Sequence, residues 1–155
     1  MTWSVRRPLA VAVASILAAA VLVLVGPART AQASTAQCLN GANGFANTPS
    51  VVPGAQTALQ PVYYSGVKVD LRYGVFAGGQ RGWARISNAR STDQVMFEWS
   101  TNGGYPVRIQ CGWFSAGSDG FAVTPGLRTS SNPSYVFRAC GRRPSTGAVW
   151  CTGWW

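Results

Sequence analysis

The chain has 155 residues, with thirteen Lys and Arg against four Asp and Glu, no histidine and a formal net charge of +9. Without histidine there is no Ser-His-Asp or Cys-His nucleophilic centre, no His-ligated zinc and no ordinary general base near neutral pH. The carboxylates Asp70, Asp93, Glu98 and Asp119 supply little material for an acid pair, and no phosphate loop or dinucleotide fingerprint occurs, so neither an enzyme nor a cofactor is expected.

Residues 1–33 read as an export signal: Arg6 and Arg7 precede an apolar run over residues 9–25, and Ala31-Gln32-Ala33 is a small-x-small cleavage site. The apolar run approaches the ~18 residues of a spanning helix, but the cleavage site favours a free, extracellular protein beginning at Ser34, with no membrane association after cleavage. Thr35-Ala36-Gln37 before Cys38 is not a lipobox. Cleavage removes Arg6, Arg7 and Arg29 and leaves ten positive and four negative groups, 10 − 4 = +6. Nine of those ten are arginine, with Lys68 alone, a composition that points to a GC-rich bacterial genome. The roughly 120 remaining residues suit one domain that buries about two-thirds of its unfolded surface.

Residues 34–66 form a turn-rich N-terminal segment packed on a β domain over residues 67–155. Asn40-Gly41 and Asn43-Gly44 mark turns, Pro49, Pro53 and Pro61 forbid long helices, and a short strand is expected at 62–64. Along 67–76, Val67, Val69, Leu71, Tyr73 and Val75 alternate with Lys68, Asp70, Arg72 and Phe76, the pattern of a half-buried strand. A turn at 78–80 leads to a strand over 81–87. Then comes a hairpin in which Val95, Phe97 and Trp99 share one face. A three-residue loop over 102–104 pairs Trp99 with Val107, Phe97 with Ile109 and Val95 with Cys111, and sets Glu98 opposite Arg108 on a solvated face. Loops are expected at 115–120 and 125–133, and strands at 121–124, 134–140 and 148–154. Seven to eight short strands without helical periodicity predict an all-β, disulfide-bonded antiparallel sandwich or small barrel.

The four cysteines all follow the export signal, where oxidation is the natural state. A four-residue loop over 144–147 sets Cys140 opposite Cys151, which leaves Cys38 for Cys111. The longer bridge contributes on the order of 3 to 4 kcal/mol. There is no C-x-x-C spacing, so no metal site is expected.

Ser100-Thr101-Asn102-Gly103-Gly104 resembles the first half of the Asp-box hairpin, Ser-x-Asp-x-Gly-x-Thr-Trp, of sialidase-type propellers, whereas Pro106 and Val107 depart from its second half. The resemblance implies a hairpin that serves folding rather than an active site. The Cys-Leu-Asn-Gly opening at 38–41, Leu71-Arg72-Tyr73-Gly74, Trp83-Ala84-Arg85-Ile86, Ile109-Gln110-Cys111-Gly112, Phe137-Arg138-Ala139-Cys140-Gly141 and the Trp-Trp end together resemble small exported proteins of actinobacteria of the Streptomyces type. That resemblance implies secretion and a β fold and carries no activity with it.

Binding remains. Trp83, flanked by Arg81 and Arg85, and the Trp154-Trp155 pair are the candidate binding residues, since exposed tryptophans stack on sugar faces and arginines hydrogen-bond hydroxyls and anions. The competing arrangement packs Trp83 inward while Arg81 and Arg85 fan into water. The expected function is non-enzymatic binding of a cell-envelope or extracellular polysaccharide or polyanion by a secreted monomer. The alternative is an inhibitor or toxin-like protein that presents the loop 115–120 or 125–133 to a protein target. Nucleic acid fits poorly, because the arginines are dispersed rather than clustered in a stripe.

Overall fold

A computed structural model describes residues 33–155; apart from Ala33, the expected export segment lies outside the described residues. These form ten strands: β1 (Gln56–Thr57), β2 (Val62–Tyr64), β3 (Val67–Phe76), β4 (Gly79–Ser87), β5 (Gln94–Ser100), β6 (Ile109–Ser115), β7 (Ala122–Val123), β8 (Leu127–Arg128), β9 (Val136–Arg143) and β10 (Ala148–Cys151). They make two antiparallel sheets. In the first, β3 and β4 pair centrally, β1 and β2 share the outer edge of β3, and β7 and β8 share that of β4. The second has the order β10-β9-β5-β6. The sheets stack as an open sandwich and do not close into a barrel.

Alternation sends Val67, Val69 and Leu71 of β3 and Ala84 and Ile86 of β4 into the space between the sheets, where they meet Val95, Phe97, Phe137 and Ala139 of the second sheet. Contact is close enough that Gly82 has no room for a side chain, since a Cβ there would lie 2.9 Å from the Phe137 ring. The β3–β4 hairpin turns on Ala77 and Gly78, both with positive φ (47° and 77°), one residue earlier than the sequence implies. Two positive φ values are what a two-residue turn between twisted strands requires.

The C-terminal hairpin has the expected register, with Arg143 opposite Ala148 and Cys140 opposite Cys151. Its last strand stops at Cys151 because the hydroxyl of Thr152 replaces a carbonyl as acceptor for the Ala139 N–H, although Trp155 still exchanges both backbone hydrogen bonds with Phe137. The β5–β6 register differs from expectation by two residues: Trp99 faces Ile109, Glu98 faces Gln110 and Phe97 faces Cys111. Ser100 explains the longer loop. Its Oγ accepts hydrogen bonds from the N–H groups of Asn102 and Gly104 and donates to the Pro106 carbonyl. An even shift keeps Ile109 and Cys111 on their expected face. A bulge between Val95 and Phe97 then brings Val95 opposite Phe114.

The third difference is Glu98. It is buried rather than solvated, because β9 covers the other edge of β5 and sets Arg138 beside it. Glu98 accepts hydrogen bonds from Arg138 Nε and, at 2.6 Å, from Gln110 Nε2. Asp93, just before β5, is likewise fully buried and receives Arg143 through Nε and Nη2 at 2.9 and 3.0 Å and the Arg90 N–H at 3.0 Å.

Cys38 is bonded to Cys111 and Cys140 to Cys151. The first bridge ties the N-terminal segment to β6, where the Ser34 N–H also reaches the Gln110 carbonyl and Phe45 meets Phe97 edge-on at 5.8 Å. No free cysteine remains, as an oxidising environment allows. No helix among the described residues is long and apolar enough to cross a membrane.

Two predictions follow from these ties. Replacing Cys38 and Cys111 together by serine costs about 4 kcal/mol, and replacing Cys140 and Cys151 about 3 kcal/mol, as expected for loops closed over 73 and 11 residues; urea unfolding of both double variants checks the order. The hydrogen bond from Arg143 holds the Asp93 carboxyl below its usual range, against the opposing effect of burial and with help from the Arg90 N–H. A depressed folded-state pKa contributes stability in full above the unfolded value of about 3.9 and loses it as pH falls through the folded one. Asp93→Asn is therefore less stable than the parent near neutral pH and loses less on acidification below about pH 4. Parallel pH dependences of the two urea midpoints would contradict this.

Candidate functional site

Alternation along β4 places Arg81, Trp83 and Arg85 together on the face turned away from the core, as expected, but that face is not open water. Residues 49–55 lie over it, with Val52 against Gly74, and β7 and β8 flank it along the edge of β4, where Arg128 and Leu127 pair with Arg81 and Gly82. Trp83 is accordingly buried, at 3% exposure, with Phe76 edge-on at 5.5 Å, and is not an exposed ring. Arg81 is also buried. Its Nη1 donates to the carbonyls of Gly44 and Gly126 at 2.9 and 3.0 Å, and its Nη2 to that of Ala77 at 3.4 Å. Burial, followed by the charge of Arg128, lowers its pKa. Arg81 thus acts as a latch between three chain segments rather than as a ligand-binding group. Only Arg85 is partly exposed, and it is clamped on Asp70.

Trp154 is half-buried on the outer face of the second sheet. It packs against Gly104, under the guanidinium of Arg138 at 4.7 Å and beside the edge of Tyr105 at 5.9 Å. Burial works against the charge of Arg138, but the hydrogen bond and charge of Glu98 outweigh it, and the Arg138 pKa is raised. Arg142 makes a second such stack over Trp113 at 4.5 Å while its Nε bonds Gln94. Sequence reasoning missed this pair of arginine–aromatic stacks. The available signal was the even spacing of Arg138 and Arg142, which puts both on one face of a strand.

Trp155 lies elsewhere. It stacks on Tyr73 with ring centroids 5.1 Å apart and borders a cleft of about 250 Å3 at one end of the sandwich. Tyr135 forms more of the apolar floor, held by Trp99 at 4.9 Å and Phe137 at 5.4 Å, and burial raises its phenol pKa. The rim side chains are polar and uncharged: Gln80 and the loop over residues 129–132. The loop organises itself, since Thr129 Oγ1 donates to Gln80 Oε1 at 3.0 Å, Ser130 Oγ accepts from the Asn132 N–H and Asn132 Oδ1 from the Ser134 N–H. An aromatic floor under hydroxyl and amide groups complements the apolar faces and hydroxyl edges of a sugar ring.

Within the expected loop over 125–133, Leu127–Arg128 is strand β8 and Leu127 is buried, so only its second half is free to meet a ligand. The loop over 115–120 turns on Asp119, whose Oδ1 accepts the Phe121 N–H. The structure therefore separates the five candidate residues: Arg81 and Trp83 are internal, Arg85 belongs to an ion cluster, Trp154 to an arginine stack and Trp155 to the cleft. No family model, curated protein or solved structure matches the chain.

Arg81→Leu leaves three carbonyls without their buried donor and is expected to cost about 1–3 kcal/mol. Urea unfolding checks it, and a loss below about 0.5 kcal/mol, the ordinary range for a surface substitution, would remove the latch role.

Proposed function

We propose that this chain is an exported, non-enzymatic binding protein for an extracellular or cell-envelope polysaccharide, which it engages in the cleft between Trp155, Tyr135 and the loop over residues 129–132. The observation that carries this is the composition of the cleft: the aromatic side chains of Tyr135, Phe137 and Trp155 line it together with neutral hydrogen-bonding side chains, and none of the lining side chains is charged. Aromatic faces take the C–H surface of a pyranose, and an uncharged rim accepts hydroxyls without having to desolvate an ion. The cleft is preformed by the loop's own hydrogen bonds, so little ordering cost opposes binding. The expected export segment and the two disulfides support an oxidising, extracellular setting, in which such polymers occur.

Co-sedimentation of the oxidised protein with peptidoglycan-containing cell walls, chitin and cellulose, each at low and high salt, tests the proposal. Binding through the cleft pellets the protein with at least one polymer at both salt concentrations, because stacking and neutral hydrogen bonds are not screened. Asn132→Ala and Gln80→Ala, both exposed, each weaken it by about 2–10-fold, the equivalent of one hydrogen bond. Binding lost at high salt would reduce the interaction to attraction by the basic surface, and no binding to any of the three polymers would favour a protein target for the loops; either result overturns the cleft as a glycan site.

A further inference from the structure

On the outward face of β3 and β4 one carboxylate serves three cations. Asp70, fully buried, receives Arg85 Nε at 2.9 Å and Nη2 at 2.6 Å, while Lys68 Nζ lies 3.2 Å and Arg72 Nη1 3.9 Å from its Oδ2. Three positive groups around one negative group leave the cluster with an excess of two charges. Arg72 is the least well served of them. Its Nη2 reaches the Ala55 carbonyl at 2.9 Å and its Nη1 the Thr57 hydroxyl at 3.4 Å, but Nε is buried without an acceptor among the described residues. Burial first, and then the charge of Arg85, lower the Arg72 pKa, and Asp70 offsets this only in part.

Arg72 and Arg85 both face a cavity of about 190 Å3, bounded by Trp83 on the inside and by Ser50, Val51 and Phe121 further out. That is room for roughly six waters, or for an acidic group with part of the molecule that carries it. This cluster neither balances its charge nor satisfies all its donors, and the unmet charge is held beside an apolar wall. In such a setting an anion gains more from two guanidinium groups than it would in water, and guanidinium forks suit the oxygens of carboxylates and phosphates.

We infer that this cavity is a binding site for an anionic oxygen group, a carboxylate or a phosphate, borne by a small polar molecule or by one unit of a polymer. It lies on the opposite face of β4 from Gln80 and the cleft, and it stands on its own geometry.

The test is a titration of the isotope-labelled oxidised protein at constant ionic strength with inorganic phosphate, D-glucuronate and, as the neutral control, D-glucose, following the Nε–Hε resonances of Arg72 and Arg85. Saturable shifts with phosphate alone assign a phosphate site, with glucuronate alone a carboxylate site, and with both a general oxyanion site; glucose leaves the resonances in place. Arg72→Gln weakens the response at least tenfold. Because that variant disturbs the cluster, Ser50→Glu provides the second arm: Ser50 is exposed at the cavity, so the new charge repels an anion without touching the core, and binding falls at least fivefold with the melting temperature unchanged. Asn132→Ala, in the cleft, leaves the shifts intact. Shifts that rise linearly with both anions, that appear equally with glucose, or that persist unchanged in Ser50→Glu would overturn the site.

Discussion

Arginine–carboxylate pairing is the constraint on which the sandwich depends. The chain has four acids, and three of them are buried in contact with arginine: Asp70 with Arg85 between β3 and β4, Glu98 with Arg138 between β5 and β9, and Asp93 with Arg143 at the end of the same strand pair. Such pairs contribute little over apolar residues of equal volume, yet breaking one is costly, because the remaining charge stays buried. Their consequence is register. A two-residue slip of β9 along β5 would keep Phe97 and Phe137 on the inner face and so is not excluded by the hydrophobic pattern. The same slip would separate both Glu98 from Arg138 and Asp93 from Arg143.

The degeneracy of even slips also explains what could and could not be read from the residues alone. Strand β3 and the C-terminal hairpin were legible, because ten alternating residues and a four-residue loop each admit one solution, and the cysteine pairing came with the hairpin. The β5–β6 register was not, since a shift of two costs nothing in face assignment and the deciding contacts belong to a serine hydroxyl reaching Asn102, Gly104 and Pro106. Arg81, exposed in both arrangements the sequence allowed, was misplaced for a different reason, and the burial of Trp83 was legible only as one of those two arrangements. Alternation identifies the face of a strand but not what covers it, and the cover here is irregular chain with no periodicity of its own. The cleft was half legible: Trp155 stood out as a ring at the end of the sequence, whereas Gln80 and the loop over 129–132 are ordinary polar residues until the fold sets them around it.

With so few acids, arginines, including two that already hold a carboxylate, also take aromatic rings as partners. Arg138 lies over Trp154 and Tyr105, Arg142 over Trp113, Arg108 over Trp99 and Arg143 over Tyr64. Ring faces attract cations at modest cost in desolvation. Much of the aromatic content that reads as a ligand platform is therefore committed within the protein. Among the described residues, Trp155 and Tyr135 have ring partners but no arginine above them and border the cleft, while Arg72 and Arg85 share one carboxylate with Lys68 beside a cavity.

The position of Glu98 also bears on the chain before it is folded. Strand β5 pairs with β9, which follows it by about forty residues, so one edge of the apolar segment Gln94–Ser100 stays open until the later strand is available. An open, β-branched and aromatic edge is a template for joining a second molecule. The carboxylate of Glu98 sits near the middle of that edge, where two copies aligned against each other would oppose like charges. Arg138 neutralises it only when the correct strand arrives. The same residue that is a buried anchor in the finished sandwich is thus a guard against self-association while the sandwich is incomplete.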